Sequence, residues 1–184
     1  MEIINLNIQN LCCNRCKTAV MNLLTNFGVL VIEIRSGIVV IQINKSLNQA
    51  DIANLLQANG FNLLNDRETA IVNQIKCYLF EYLENKENEK TKMSNFLIDK
   101  LHVSYPYLSK VFSKLEKTTI EKYFITLKIE KAKEMISLEN LTLSEIAYEL
   151  SYSSVQALSQ QFKTVVGLTV KDFRTVDTLN SAAS

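Results

Sequence analysis

The pattern of hydrophobic and polar positions changes period about one third of the way along the chain. Over residues 3–9 apolar residues alternate with polar ones, which predicts a half-buried β-strand. Two β-branched runs flank Arg35-Ser36-Gly37 and predict a hairpin, and residues 61–64 predict a short last strand. Apolar residues at helical spacing follow the first strand, and a second such segment begins at Asp51. The predicted order over residues 1–66 is therefore β-α-β-β-α-β.

Beyond residue 66 the alternation stops and apolar positions recur at helical spacing. Ile71, Ile75 and Leu79 mark the first amphipathic helix of this half. Pro106 is the one proline of the chain and falls where a helix begins, a position that tolerates proline. Further helices are expected over residues 94–101, 107–115, 119–136, 143–150 and 155–165.

These patterns predict an α+β fold in two parts. The order over residues 1–66 is that of a ferredoxin-like βαββαβ domain, with two helices on one antiparallel sheet. Residues 67–176 are expected to form an all-α domain with two helix-turn-helix units, followed by a flexible tail over residues 177–184.

One helix-turn-helix plan occurs twice in the second half. Leu-Ser-x-x-Phe stands at residues 108–112 and again at residues 158–162. The leucine and phenylalanine share one helix face, so they hold the second helix of each unit against the first. The opposite face carries groups that read base edges and contact phosphates, although any helix bundle presents polar residues outward. Its residues are Pro106, Ser109, Lys110 and Lys114 in the first copy, and Gln156, Ala157, Gln160 and Lys163 in the second.

The second half resembles the AraC/XylS family of transcription regulators. The segment LTLSEIAYELSYSSVQALSQQFKTVVGLTVKDFR is similar to the second helix-turn-helix of that family, and VSYPYLSKVFSKLEKTTIEKYF is similar to the first. The resemblance covers about residues 68–174. It implies a DNA-binding regulator, not an enzyme, whose two units enter successive segments of the major groove and which contacts RNA polymerase.

The resemblance also implies roles for individual side chains. Gln156 or Gln160 is expected to pair with adenine, and Lys110 to donate to guanine. Packing is the alternative role for Val155 and Ser159. Base contacts are implied for Pro106, Ser109, Lys110, Val155, Gln156, Ser159 and Gln160, and phosphate contacts for Lys114 and Lys163.

Four positions depart from the family pattern, one of them Val170, which replaces a usual proline. Ser151 stands at a turn position that is usually glycine, so it is expected to need a left-handed backbone conformation. Thr118 replaces the glycine that usually follows the first recognition helix. Gln160 replaces a common arginine, which predicts weaker attraction to phosphates and a gentler salt dependence.

Three of the four cysteines fall within the segment LCCNRC, residues 11–16. Residues 3–65 resemble the heavy-metal-associated domain, whose metal loop reads Met-x-Cys-x-x-Cys. Cys13 and Cys16 stand on the motif pair, Leu11 replaces the methionine, and Cys12 is a candidate third ligand. Two thiolates at this spacing suit Cu(I), whereas Zn(II) needs further ligands.

Two other roles for the cysteine segment stay open. The domain could act as a structural or protein-binding module without a ligand. It could also be a redox switch, in which Cys12 or Cys13 forms a disulfide with Cys16. Cys77 lies in a helical pattern and is expected to be a small buried hydrophobe.

Composition limits the class of protein. The chain has no run of about 18 apolar residues and no signal peptide pattern, which predicts a cytoplasmic protein with reduced thiols. The net charge of +1 does not by itself indicate a nucleic-acid binder. We predict a sequence-specific DNA-binding regulator that responds to metal or thiol state, binds double-stranded DNA and no membrane, and leaves a homodimer open. The alternative is a metal carrier or protein-interaction module whose helical domain docks a partner rather than DNA.

Overall fold

A computed structural model describes residues 2–43, 48–138 and 141–175, so the predicted tail over residues 177–184 lies outside the described residues. The chain divides between Thr119 and Ile120 into two compact units, each described by itself below. A 3-10 helix, Lys86–Lys90, lies between the third and fourth α-helices. The other elements are β1 (Glu2–Asn7), α1 (Asn14–Asn26), β2 (Leu30–Arg35), β3 (Ile38–Ile43), α2 (Gln49–Ala58), α3 (Arg67–Glu84), α4 (Met93–Leu101), α5 (Tyr105–Glu116), α6 (Ile120–Leu138), α7 (Leu143–Glu149) and α8 (Val155–Val166).

Three antiparallel strands form the sheet of the first unit, in the order β1-β3-β2. On the central strand, Ile41 pairs with Ile4 of β1 and Val39 pairs with Ile34 of β2. β2 and β3 meet at the predicted turn, where Gly37 has a φ of +79° that other residues adopt only with strain. The first strand and the hairpin predicted from the alternation are therefore confirmed.

The apolar core of the sheet is shared with α1 and α2. Cys13 caps α1, because its sulfur accepts a hydrogen bond from the Cys16 N–H, and Asn48 caps α2. The second helix therefore begins at Gln49, two residues before the predicted start at Asp51. Fully buried side chains of this core include Leu6, Leu24, Ile41, Ile52 and Leu56.

The last strand predicted at residues 61–64 does not form. Leu63 makes a single antiparallel bridge with Ile8, at the end of β1. The contact stays short because the chain then enters α3, where the Asp66 carboxylate accepts a hydrogen bond of 2.8 Å from the Thr69 N–H. The full βαββαβ prediction was therefore too specific, and the structure has a small three-stranded sheet with two helices.

Helix α3 packs against the two loops at one end of the sheet, residues 8–12 and 36–37, and we call this contact the seam. Asn73 of α3 is buried at 5% exposure. Its amide donates to the Ile8 carbonyl and accepts from the Asn10 N–H, both at 2.9 Å. Buried backbone groups need such partners, so this one side chain satisfies loop groups that the sheet leaves unpaired.

A second polar contact closes the seam. The buried Ser36 hydroxyl donates to Glu81 of α3 at 2.8 Å, and Lys100 of α4 donates to the same carboxylate at 2.9 Å. Burial alone would raise the pKa of Glu81, but the hydrogen bonds from Lys100 and Ser36 hold it below its ordinary value. The ionised carboxylate therefore links the hairpin turn to both α3 and α4.

Helix α3 also supports the two helices that follow it. Tyr78 and Tyr82 contact Phe96 of α4 edge-on, with ring centroids 6.4 and 5.2 Å apart. Lys76 forms an ion pair of 2.7 Å with Glu116 of α5. The sheet, α3 and the first helix-turn-helix are thus parts of one compact unit.

Helices α6, α7 and α8 form the second unit, with a further helical segment over residues 170–175. Thr142 and Glu145 cap α7 through a reciprocal capping box. Phe162 of α8 meets Phe173 edge-on, with ring centroids 5.4 Å apart. The helices predicted over residues 94–165 each agree with the structure to within two residues at either end. Within the described ranges, none of the helices has both the length and the hydropathy that a membrane crossing requires.

Replacing Asn73 with alanine is expected to lower the free energy of unfolding by about 2–3 kcal/mol, because the Ile8 carbonyl and the Asn10 N–H both lose their partner. Urea denaturation measures the change. Asn62→Ala is the matched control, since its exposed amide makes one bond of 3.3 Å to Gln9 and should cost less than about 0.5 kcal/mol. Equal losses of unfolding free energy in the two variants would contradict the stabilising role of Asn73 in the seam.

Substituting Gly37 with alanine is expected to cost about 2 kcal/mol or more, and Gly60→Ala only about 1 kcal/mol. Both glycines adopt a left-handed backbone conformation, with φ of +79° and +82°. A Cβ at Gly37 would stand 2.9 Å from the Asn73 amide nitrogen, whereas nothing lies within 4 Å of one at Gly60. The difference between the destabilisation of the two variants measures the cost of the close approach of α3 to Gly37. Equal destabilisation would contradict that close approach.

Candidate nucleic-acid interface and thiol cluster

The second helix of the first helix-turn-helix, α5, buries one face and exposes the other. Leu108 and Phe112 are fully buried, as their spacing predicted. Pro106 and Lys110 are exposed, and Ser109 is half-buried beside them. The structure therefore places the three predicted base-contacting residues on or beside the exposed face of α5.

The corresponding helix of the second unit, α8, has the same division. Leu158 and Phe162 are fully buried. The Ser154 hydroxyl accepts a hydrogen bond of 3.1 Å from the Ala157 N–H and so fixes the beginning of the helix. Gln156, Gln160 and Lys163 are exposed, whereas Val155 and Ser159 are half-buried. The amide groups of the two glutamines face solvent and are available to an external partner.

The predicted phosphate-contacting lysines differ in their surroundings. Lys114 of α5 forms an ion pair of 2.6 Å with Glu68 of α3, and this hydrogen bond raises the pKa of Lys114. Lys110 and Lys163 make no ion pair among the residues that the structure describes. Lys114 must therefore give up or share its bond to Glu68 before it can contact a phosphate.

Residues in the left-handed backbone conformation end helices in both units. Ser151 has a φ of +52°, so the expectation from its place in the turn is met. Gly167 ends α8 with a φ of +82°, and Lys117 ends α5 with a φ of +57°. The residue that carries the glycine conformation after α5 is therefore Lys117, one position before Thr118. Lys117 follows Leu108 by nine residues, as Gly167 follows Leu158, so the two residues occupy the same place in the two units.

Cys13 and Cys16 lie together at the beginning of α1. Their sulfur atoms are 3.0 Å apart, and the Cys16 N–H donates to Cys13 Sγ at 3.3 Å. The hydrogen bond from the Cys16 side chain, with that from its backbone, lowers the pKa of Cys13. The same bond and burial raise the pKa of Cys16. Cys13 is therefore the more acidic thiol of the pair.

The structure corrects the expectation for the other two cysteines. Cys12 forms a disulfide with Cys77, across 65 residues of sequence. Cys77 is fully buried, as predicted, but it is not simply a buried hydrophobe. A disulfide sulfur carries no thiolate, so Cys12 is not a third ligand in this form. The predicted disulfide to Cys16 is not formed either, since Cys13 and Cys16 are free thiols.

The donor set limits which metal ion the thiol pair can hold. Across the described part of the chain, no group of three or more His, Cys, Asp and Glu side chains converges. A four-coordinate Zn(II) site lacks ligands there, whereas two thiolates fit a two-coordinate soft ion such as Cu(I).

Sequence patterns did not predict the partners that α3 provides. Asn73, Glu68 and Cys77 all lie on a helix that was expected only to have an apolar face. An even number of cysteines was the one available signal for the Cys12–Cys77 bond.

Comparison with known proteins finds relatives of the helical part of the chain. A family model described as a helix-turn-helix domain matches residues 97–175. Over 110 residues the chain is 26% identical to the Msm operon regulatory protein of Streptococcus mutans serotype c, a match that covers 60% of this chain. The chain spans only 38% of that relative's length.

Two solved structures are similar to the same region. The C-terminal domain of AraT, a response regulator from Geobacillus stearothermophilus, has a TM-score of 0.51 and 22% identity, and covers 60% of this chain and 88% of that one. The C-terminal domain of the two-component response regulator yesN from Fusobacterium nucleatum is 26% identical with a TM-score of 0.45, and covers 54% and 96%. Residues 97–175, in the carboxy-terminal region of the chain, therefore belong to a helix-turn-helix domain.

Proposed function

We propose that the protein is a sequence-specific DNA-binding transcription regulator of the AraC type. Helices α5 and α8 are the two reading helices. Base contacts come from Pro106, Ser109 and Lys110 of the first and from Val155, Gln156, Ser159 and Gln160 of the second, with phosphate contacts from Lys114 and Lys163.

One observation carries this proposal. The two Leu-Ser-x-x-Phe segments bury the same two positions completely, at residues 108 and 112 and at residues 158 and 162. The face left exposed carries the amines of Lys110 and Lys114 in the first copy, and in the second the amides of Gln156 and Gln160 with the amine of Lys163. Gln156 and Gln160 lie four residues apart on that face, and an amide that reaches a base edge can bond adenine bidentately.

The net charge of the chain determines how strongly DNA is attracted and how steeply binding depends on salt. Residues 67–184 contain 16 basic and 15 acidic side chains, so no strong positive field draws DNA to the protein. Affinity then depends on a few local phosphate contacts and on base contacts, and its salt dependence is shallow.

Replacing Lys163 with alanine is expected to weaken binding to any duplex and to lower the slope of log K against log salt concentration by about 1. Fluorescence anisotropy with a labelled random-sequence duplex measures both quantities. Lys90→Ala is the control, since it removes the same charge from the segment before α4, where Lys90 pairs with Glu87. An unchanged slope for Lys163→Ala, or an equal change for Lys90→Ala, would contradict the phosphate contact.

The first part of the chain is proposed to report metal or thiol state to the DNA-binding part. Its candidate ligands are Cys13 and Cys16, in a segment that resembles the heavy-metal-associated domain. Contact with RNA polymerase is proposed on the family resemblance alone. Self-association as a homodimer stays open, with the hairpin edge or the helix over residues 68–83 as the surface that would pair two copies. The metal-carrier alternative is not favoured, because the helical part matches a domain found in transcription regulators.

The protein is expected to bind one Cu(I) per chain, and the Cys13→Ser/Cys16→Ser double variant none. The lowered pKa of Cys13 favours its thiolate over that of an ordinary cysteine, and the thiolate is the form that binds soft ions. Competition with a chromogenic Cu(I) chelator measures the stoichiometry. Cys12→Ser is the control and should keep the site. Binding that survives in the double variant, or that is absent from the unmodified protein, would contradict this assignment.

A further inference from the structure

We propose that Cys12 and Cys77 are a site of reversible oxidation that fastens the cysteine segment to the helix supporting the first helix-turn-helix. Cys12 lies in the loop between β1 and α1, and Cys77 lies in the middle of α3. The bond therefore joins the sheet to α3 across the seam.

The position of the bond lets it restrict the motion of α3 relative to the sheet. The seam is otherwise held by a few polar contacts, chiefly those of Asn73 and Ser36 with their partners. These contacts can open and close together, whereas a covalent bond cannot. Because α4 and α5 both contact α3, fixing α3 on the sheet also limits the motion of the first reading helix.

Burial determines which sulfur reacts first. Cys77 is fully buried, whereas Cys12 is half-buried and within reach of a small reagent. Oxidation by a hydroperoxide begins when the Cys12 thiolate attacks one peroxide oxygen, which breaks the O–O bond, forms a sulfenic acid and releases an alcohol or water. The Cys77 thiol then attacks the Cys12 sulfur, the S–O bond breaks, and water leaves. Two thiols have been oxidised and one peroxide reduced.

Reduction follows the reverse order with a dithiol. A thiolate of the reductant attacks Cys12 Sγ, and Cys77 leaves and takes up a proton. The second thiol of the reductant then displaces Cys12 and closes its own disulfide. The two electrons that oxidation removed are thus returned by the dithiol.

The expected effect of opening the bond on DNA affinity rests on the proposed DNA-binding function. A reading helix that is already fixed loses less conformational freedom when it binds DNA. We therefore expect the reduced protein to bind its DNA about three- to tenfold more weakly than the oxidised protein.

The experiment compares full-length protein treated with hydrogen peroxide and protein treated with dithiothreitol. Alkylation followed by peptide mass spectrometry should find a Cys12–Cys77 crosslinked peptide after oxidation, and four alkylated thiols after reduction. The melting temperature should fall by roughly 10 °C on reduction, because the bond closes a long loop in the unfolded chain.

Three variants separate the bond from other effects. Cys12→Ser and Cys77→Ala should each melt at one temperature in both treatments, close to that of the reduced protein. Cys13→Ser/Cys16→Ser should keep the full redox response of the unmodified protein. A crosslink of Cys12 or Cys77 to Cys13 or Cys16, or a melting temperature that does not depend on redox state, would overturn the proposal.

DNA affinity is measured on the same samples by fluorescence anisotropy with the labelled random-sequence duplex. A three- to tenfold loss on reduction that disappears in Cys12→Ser supports the link to the reading helix, and equal affinities overturn it. If neither redox state binds DNA, the proposed DNA-binding function fails, while the thiol count and the melting temperatures still decide whether the site exists.

Discussion

The attachment of α3 to the loop end of the sheet is the contact on which the rest of the first unit depends. The sheet has only three strands, and its loops leave backbone groups without partners in the ladder. The buried Asn73 amide supplies two of those partners, and Gly37 allows the approach because it has no Cβ. Once α3 is held there, its other faces support α4 and α5 through aromatic contacts and an ion pair. Helix α3 therefore links the sheet to the first helix-turn-helix.

Much of the fold could be predicted from the sequence, because hydrophobic period and capping are local properties. The hairpin, the helices and the Leu–Phe pairs at residues 108 and 112 and at residues 158 and 162 all follow from spacing that short-range geometry enforces. Ser151 could be recognised as left-handed from its place in the turn. The candidate reading residues then follow, since the buried pair leaves only one face of each helix exposed.

The remaining features depend on contacts between distant residues, which a local pattern does not encode. Residues 61–64 have the composition of a strand, but a strand needs a partner, and only one bridge to Ile8 forms before Asp66 begins the next helix. Cys77 looks like any small buried residue until the fold brings it to Cys12. The ion pair of Lys114 with Glu68 likewise joins residues 46 positions apart. These are the places where packing overrules propensity.

Selection of binding sites from random duplex DNA tests the central claim most directly, which is that α5 and α8 read base sequence. The unmodified protein should enrich one motif with two short conserved blocks. The Gln156→Ala/Gln160→Ala variant should lose sequence information in one block and keep the other, while Gln57→Ala, an exposed glutamine on α2, should leave both unchanged. Failure of the unmodified protein to enrich any motif, or an identical motif from the α8 variant, would contradict the account.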